Sequence, residues 1–335
     1  MSELRLGKGR HPLGAIPVMS PVSAADVAGL ADLRRPPGRR ASRRRGPATA
    51  ESRWVWLFLA PTIIGLAVLS AGPIVAAFGI SLTSWDLLTA PKFIGLGNYQ
   101  ELLGDDRFLT ALRNTIFFTV VSVPVGMVLA IGFATALNQR IRGIAWIRTA
   151  YFLPLVTSAT AIALVWLWIY SPAGLLNQVV GIFGVPAQRW VSDPVWAMPA
   201  IIVMSVWQGL PINVIILLAG LQAIPSEYYD AADVDGANRW ARFRNVTLPL
   251  LTPSLFFTGI LALISAFQVF DLVYVTANPG KPGNATITLV YFIYENGFRD
   301  FKMGLASAAS WVLFLIVGVV TILYFRTQKR WVHYQ

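Results

Sequence analysis

Long apolar runs alternate with short polar segments along most of this chain. Six runs are close to the roughly 20 residues that a helix needs to cross a hydrocarbon core about 30 Å thick. The runs occupy residues 54–80, 115–137, 150–169, 195–221, 253–275 and 306–325. Prolines inside them, such as Pro61 and Pro124, are tolerated in membrane helices because neighbouring helices satisfy the freed carbonyl groups. The pattern predicts an all-α integral membrane protein with six transmembrane helices.

Basic residues avoid the apolar runs and alternate between the segments that join them. If the N-terminus is cytoplasmic, 20 of the 27 Lys and Arg residues lie in cytoplasmic segments and seven in external segments. Cytoplasmic loops are the ones that retain positive charge during membrane insertion. The distribution therefore predicts that both termini are cytoplasmic, together with the loop between the fourth and fifth runs, residues 222–251.

The first 52 residues are rich in Pro, Gly, Ala and Arg, which predicts a disordered tail ahead of a membrane domain at residues 53–335. The arginine-rich run at residues 34–45 is compatible with a nucleic-acid patch, a twin-arginine export signal or an anchor that keeps the N-terminus inside. The apolar run that follows is about twice as long as that of a signal peptide. We therefore favour the anchor, with membrane lipid and not nucleic acid as its partner.

The composition excludes several kinds of chemistry. Of 335 residues, 56% are hydrophobic and only 13% are charged, and there is no cysteine to form a disulfide or a thiolate metal site. The two histidines, His11 and His333, lie outside the apolar runs. No Gly-x-x-x-x-Gly-Lys-Ser/Thr loop occurs to cradle the phosphates of ATP. The sequence predicts a membrane protein that is not an enzyme and binds no cofactor or metal itself.

Residues 222–251 have the residue types of two short helices that meet at a glycine. Pro225 suits a first helical turn, and Glu227 and Asp230 favour the positive end of a helix. Gly236 supplies the left-handed residue that ends many helices. The composition therefore predicts an ordered corner at this glycine.

A second short helix is predicted from Ala237 to a point before Pro249, because the residue preceding a proline disfavours helical geometry. On a helical wheel, one side of the first helix carries a tyrosine, two alanines and an aspartate. These are Tyr228, Ala231, Ala232 and Asp235. A small-residue face flanked by acids predicts a fit into a groove on a cytoplasmic partner. The alternative is an amphipathic loop on lipid, which the anionic inner leaflet would disfavour.

This loop resembles the EAA loop of ABC importer permeases, in which Glu-Ala-Ala is followed by three residues, Gly and, about nine residues later, an apolar position with Leu-Pro. The matching residues are Asp230, Ala231, Ala232, Gly236, Val246, Leu248 and Pro249. Asp replaces the usual Glu and keeps the charge. Similarity to the sugar-importer branch extends over residues 225–237, 270–276 and 286–310, the last of which includes 294–298 and 304–308. The resemblance covers roughly residues 54–330.

The resemblance implies the fold of a type I ABC importer permease with three kinds of partner. These are a second homologous permease, two copies of an ABC ATPase that bind ATP and Mg, and an extracytoplasmic solute-binding protein. It also implies that the ATPase acts on the membrane helices through the loop. The residues implicated are Glu227, Tyr228, Asp230, Ala231, Ala232, Asp235, Gly236, Ala237 and Pro249. The implied solute is a sugar, an oligosaccharide or a glycerol-phosphate-like compound.

Polar residues deep in the apolar runs are candidates for the substrate path. At about 1.5 Å per residue, Gln208 lies about 20 Å into the fourth run, and Ser265 and Gln268 lie about 18 and 22 Å into the fifth. Asp271 lies about 27 Å along the fifth run, near the outer interface. The alternatives are helix-to-helix hydrogen bonding for the glutamines and a hydrated cap for Asp271.

Two other classes of protein remain open at this point. An ion-coupled secondary transporter would normally need buried charged groups for coupling, and none lies clearly at mid-depth in the six runs. A membrane assembly protein that transports nothing would use the mid-span glutamines for packing. The loop favours the importer over both.

Overall fold

A computed structural model of the chain describes residues 48–139, 144–276 and 283–331, and these ranges are mostly helical. The helices are α1 (Ala48–Leu66), α2 (Gly72–Ser81), α3 (Gly97–Gly104), α4 (Asp106–Leu137), α5 (Ile144–Val156), α6 (Ala159–Ile169), α7 (Leu175–Ile182), α8 (Ala197–Gln222), α9 (Ser226–Val234), α10 (Arg239–Arg242), α11 (Leu248–Leu250), α12 (Thr252–Phe267), α13 (Asp271–Thr276), α14 (Leu289–Tyr294) and α15 (Met303–Trp331). Wider π turns occupy Ala67–Ala71, Phe243–Thr247 and Glu295–Arg299.

Two short strands close the segment between α2 and α3. Strand β1 (Thr83–Ser84) pairs antiparallel with β2 (Lys92–Phe93), so that Thr83 lies opposite Phe93. The side-chain amide of Asn98, in α3, donates hydrogen bonds to the carbonyl oxygens of Ser81 and Thr83, at 2.8 Å each. This buried amide ties the end of α2 to the strand that follows it.

Five helical stretches of the described chain are long and apolar enough to cross a membrane. They are Val55–Ser81, Asp106–Leu137, Ala197–Gln222, Thr252–Thr276 and Met303–Lys329. These stretches coincide with five of the six predicted runs. The prediction of an all-α membrane protein is confirmed.

The third predicted run, residues 150–169, forms two helices, so the prediction of one continuous helix is wrong here. Ser158 separates α5 from α6 with an extended backbone, and its hydroxyl accepts a hydrogen bond from the Ala161 N–H at 3.3 Å. Serine in this geometry is a strong helix N-cap, so the chain begins a new helix at Ala159. The two helices contain 13 and 11 residues, which is compatible with a sixth crossing.

The chain divides into two compact units after Gly65, and helices α2 to α15 belong to the second unit, Leu66–Gln335. Within it, α4 packs along α8, with the fully buried Ala130 and Ala134 of α4 beside Leu210 and Val214 of α8. Small residues let membrane helices approach closely, which increases their packing contacts. A second buried cluster, around Phe118, joins the same two helices to α6, α13, α14 and α15.

Parts of the predicted tail and both predicted cytoplasmic termini lie outside the described residues. These are residues 1–47 and 332–335. Helix α1 begins at Ala48, four residues before the predicted end of the tail at residue 52.

Candidate functional site

The predicted glycine corner is present in the loop between α8 and α12. Pro225 directly precedes α9, and Gly236 follows its last residues with φ at +72°, in the left-handed region. The N–H of Ala237 donates to the carbonyl of Ala232 at 2.9 Å, and the N–H of Gly236 donates to that of Asp233 at 3.1 Å. This pair of bonds is the Schellman arrangement that ends helices at a left-handed residue. The prediction for the backbone at Gly236 is confirmed.

The second half of the loop differs from the prediction that its helix ends before Pro249. Asn238 caps α10 by accepting a hydrogen bond from the Ala241 N–H at 2.8 Å. The chain then enters the π turn Phe243–Thr247 and continues helically through α11, which contains Pro249. The Leu248 N–H bonds to the carbonyl five residues back, so the wider turn admits the proline without breaking the helical path.

Two side-chain contacts hold the halves of the loop together across the corner. The hydroxyl groups of Tyr229 and Thr247 lie 3.1 Å apart, at hydrogen-bond distance. The Arg242 guanidinium donates to the Asp233 carboxylate at 2.6 Å. Thr247 is buried, and Tyr229 packs against the buried cluster that contains Ala130 of α4 and Val214 of α8. The loop is therefore an ordered extension of the helix bundle.

Helix α9 lies at the surface of the described structure, since none of its residues is buried. The exposed members of the predicted site are Glu227, Tyr228, Asp230, Ala231, Asp235 and Gly236; Ala232, Ala237 and Pro249 are half-buried. The face therefore presents a tyrosine, small residues and three carboxylates to solvent. A surface of this kind can receive a folded partner.

A half-open cleft of about 270 Å³ lies between α4, α8 and α12. Its polar lining consists of Ser122 from α4, Ser205 and Asn213 from α8, and Ser265 from α12. The remaining lining residues are aliphatic or glycine, among them Gly126 and Gly209. The cleft therefore combines apolar walls with four uncharged hydrogen-bonding side chains.

One of these polar groups lacks a partner inside the described structure. Ser122 is only 7% exposed, and its hydroxyl makes no hydrogen bond with any described residue. In the same helix, Thr115 and Thr119 each bond a backbone carbonyl four residues earlier at 2.8 Å. A buried hydroxyl without a partner costs roughly 1–3 kcal/mol, so a ligand or an ordered water at this wall would be stabilised.

The structure places only one of the four predicted substrate-path residues in the cleft. Ser265 lines it, whereas Gln208 is half-buried beside it and Gln268 and Asp271 are exposed beyond the end of α12. Sequence reasoning missed Ser122, Ser205 and Asn213. The available signal was the spacing of Ser205, Gly209 and Asn213, which recur every four residues and so share one face of α8.

The described residues contain no group of three or more His, Asp or Glu side chains that could hold a metal ion. The arrangement suits binding and passage of a solute, with an ordered loop at one end of the bundle. Five membrane-length helices, a polar cleft between three of the helices and this loop define a polytopic membrane protein with the architecture of a transporter subunit.

Comparison with known proteins agrees with this class. Residues 122–332 match the family described as "Binding-protein-dependent transport system inner membrane component". The chain is 38% identical over 284 residues to the probable ABC transporter permease protein YesP of Bacillus subtilis (strain 168), with 84% of this chain and 92% of the relative covered. It is 37% identical over 276 residues to the lactose transport system permease protein LacF of Rhizobium radiobacter, with 81% and 92% covered.

The same fold occurs in a crystal structure of a bacterial alginate ABC transporter in complex with an alginate pentasaccharide-bound periplasmic protein. The TM-score is 0.75 at 22% identity, with 84% of this chain and 96% of that chain covered. The present chain therefore belongs to the family of inner-membrane components of binding-protein-dependent transport systems. It is a multi-pass membrane protein with the type I ABC importer permease fold.

Proposed function

We propose that this chain forms one half of the translocation pore of an ATP-driven importer for a carbohydrate, which an extracytoplasmic binding protein delivers. The observation that carries the proposal is the cleft between α4, α8 and α12. Its polar wall is made of three serines and one asparagine, and none of its lining residues is ionisable. An uncharged solute with many hydroxyl groups matches this wall.

Hydroxyl and amide side chains both donate and accept hydrogen bonds, as the hydroxyl groups of a sugar do. A charged solute would lose its hydration here without an opposite charge to replace it. The absence of ionisable lining residues also gives the cleft no group for coupling to an ion gradient. The 37% identical relative named as a lactose transport permease supports the same substrate class.

The energy for transport comes, in this proposal, from two copies of an ATPase that bind ATP and Mg and dock on the loop between α8 and α12. The exposed face of α9 supports this role, because it presents Tyr228, Ala231 and Asp235 to solvent. The contacts across the corner at Gly236 support it further, because an ordered loop transmits movement to α12 better than a flexible one. A second, homologous permease completes the pore.

The test is sugar uptake by the assembled importer in liposomes, with labelled lactose, maltose, trehalose and maltotriose as probes. Asn213→Leu removes an amide from the cleft, and Gln208→Leu makes the same kind of change five residues earlier, outside the lining. Loss of one hydrogen bond is worth about 0.5–1.5 kcal/mol, so uptake by Asn213→Leu should fall about two- to tenfold. Gln208→Leu should transport at the wild-type rate.

Absence of uptake for all four sugars by the wild-type importer would contradict the proposed substrate class. Equal losses in Asn213→Leu and Gln208→Leu would show that the cleft is not the solute path. Recovery of the second permease with each variant serves as the control for assembly.

A further inference from the structure

Two motifs distant in sequence meet at the end of α12 that lies opposite the loop. Residues 270–276 contain Phe270 and Tyr274, and residues 294–298 contain Tyr294 and Phe298. In the structure these four rings form one continuous surface, here called the aromatic platform. Helix α12 has 16 residues, so the platform is about 24 Å from the loop end of that helix.

The rings form two pairs, one tilted and one stacked. The centroids of Phe270 and Tyr274 are 5.4 Å apart at an interplanar angle of 30°, and those of Tyr294 and Phe298 are 5.8 Å apart at 25°. The pairs meet edge to face at Tyr274 and Tyr294, with centroids 5.3 Å apart at 83°. Tyr274 is 47% exposed and Phe298 is 63% exposed, while the other two rings are half-buried behind them.

Ion pairs hold the part of the platform that lies on the π turn Glu295–Arg299. The Glu295 carboxylate pairs with Arg107 of α4, and its other oxygen lies 3.7 Å from the Arg299 guanidinium. The buried Asn296 donates from its side-chain amide to the Phe292 carbonyl at 3.0 Å. π turns inside helices are frequent at functional sites. The ion pairs of Glu295 and the hydrogen bond of Asn296 hold in place the π turn that carries the exposed Phe298 ring.

Free polar groups border the exposed rings. Asp271 and Gln268 are exposed, and neither side chain makes a hydrogen bond or an ion pair with another described residue. Ser265, which lines the cleft, precedes Phe270 by five residues. The platform and its polar border therefore begin within five residues of a side chain that lines the proposed substrate path.

We infer that the aromatic platform binds the pyranose rings of the carbohydrate before the sugar reaches the cleft, an inference that rests on the proposed function. The C–H face of a pyranose carries partial positive charge and packs against the negative face of an aromatic ring. The carboxylate of Asp271 accepts hydrogen bonds from the sugar hydroxyl groups, and the amide of Gln268 both accepts hydrogen bonds from them and donates hydrogen bonds to them. Two of the predicted substrate-path residues therefore act at the platform and not in the cleft.

The test compares substitutions that remove a platform ring with one that keeps the ring and one that lies away from the platform. Tyr274→Leu and Phe298→Leu each remove an exposed ring, Tyr274→Phe keeps the ring, and Phe183→Leu removes a 79% exposed ring at the end of α7. The assay is uptake of the same four labelled sugars per ATP hydrolysed, with saturating binding protein. The two ring-removing variants should transport about two- to tenfold less sugar per ATP, since one aromatic contact is worth that factor.

Phe183→Leu should match the wild type in the same assay, and Tyr274→Phe should retain more transport than Tyr274→Leu because it keeps the ring. An unchanged ratio of sugar to ATP in both ring-removing variants would overturn the platform while leaving the proposed function intact. Loss of the second permease on purification of either variant would overturn it too, by showing that the rings form a subunit contact. No uptake of any of the four sugars by the wild type would overturn both inferences.

Discussion

Substitution of Gly236 tests whether the loop between α8 and α12 is the contact for the ATPase. Gly236 has a φ angle of +72°, in the left-handed region. An L-residue with a side chain pays about 1–2 kcal/mol of backbone strain to adopt this conformation, and β-branched residues tolerate it least. No atom lies within 4 Å of the position that a Cβ would occupy. The cost of Gly236→Val is therefore backbone strain and not a steric clash with the bundle.

This strain is comparable with the interactions that hold the corner. The two backbone bonds that end α9, at 2.9 and 3.1 Å, are worth about 0.5–1.5 kcal/mol each. The partly exposed pair of Arg242 and Asp233 adds about 0.2–1 kcal/mol. A penalty of 1–2 kcal/mol shifts an equilibrium about 5- to 30-fold. The dissociation constant for the ATPase should rise by that factor in Gly236→Val.

The assay is binding of the ATPase to the purified permease pair, measured together with sugar uptake. Gly236→Asn is the matched control, because asparagine adopts the left-handed conformation at small cost and should bind almost normally. Recovery of the second permease should be unchanged in both variants, since the corner is outside the helix bundle. Weak ATPase binding by Gly236→Asn as well as by Gly236→Val would show that backbone strain at this position is not the cause.

Two changes on the exposed face of α9 complete this test. Ala231→Arg places a large charged side chain on the small-residue face, and we expect loss of ATPase binding comparable with that of Gly236→Val. Asp230→Glu keeps the charge and restores the residue that the family usually has, so binding should stay within about twofold of wild type. Normal ATPase recovery and normal uptake in both Gly236→Val and Ala231→Arg would show that this loop is not the coupling element.

Three further outcomes are expected. A reporter fused after Arg244 should be cytoplasmic and one fused after Arg189 external, because of the uneven distribution of basic residues; reversal of either would refute the predicted orientation. Gly304→Ala should destabilise the protein by about 1–3 kcal/mol in thermal unfolding, since its Cβ would overlap the Thr83 carbonyl. Gly318→Ala is the control in the same helix. It should not destabilise the protein, because no atom lies within 4 Å of its Cβ position. The purified chain alone should not hydrolyse ATP, and measurable hydrolysis would contradict the proposed division of labour.

Local residue types were sufficient for several features of the fold. The apolar runs predicted five of the membrane-length stretches, because a helix in lipid must satisfy its own backbone and needs about 20 apolar residues to cross. The left-handed backbone at Gly236 was predictable for a similar reason, since only a few residue types adopt it. The break at Ser158 was missed because serine also occurs inside membrane helices, where its hydroxyl bonds a preceding carbonyl.

The sequence by itself therefore determined the class of protein, the positions of most helices and the corner of the loop. Only the tertiary structure decided that Ser205 and Asn213, and not Gln208, face the cleft, and that Tyr274 meets Tyr294. The depth of a residue in the membrane follows from its position in one apolar run, so the sequence of that run is enough to estimate it. The side of a helix that faces a cleft depends on packing against segments far away in the chain, and a run that is apolar all round carries little sign of that side.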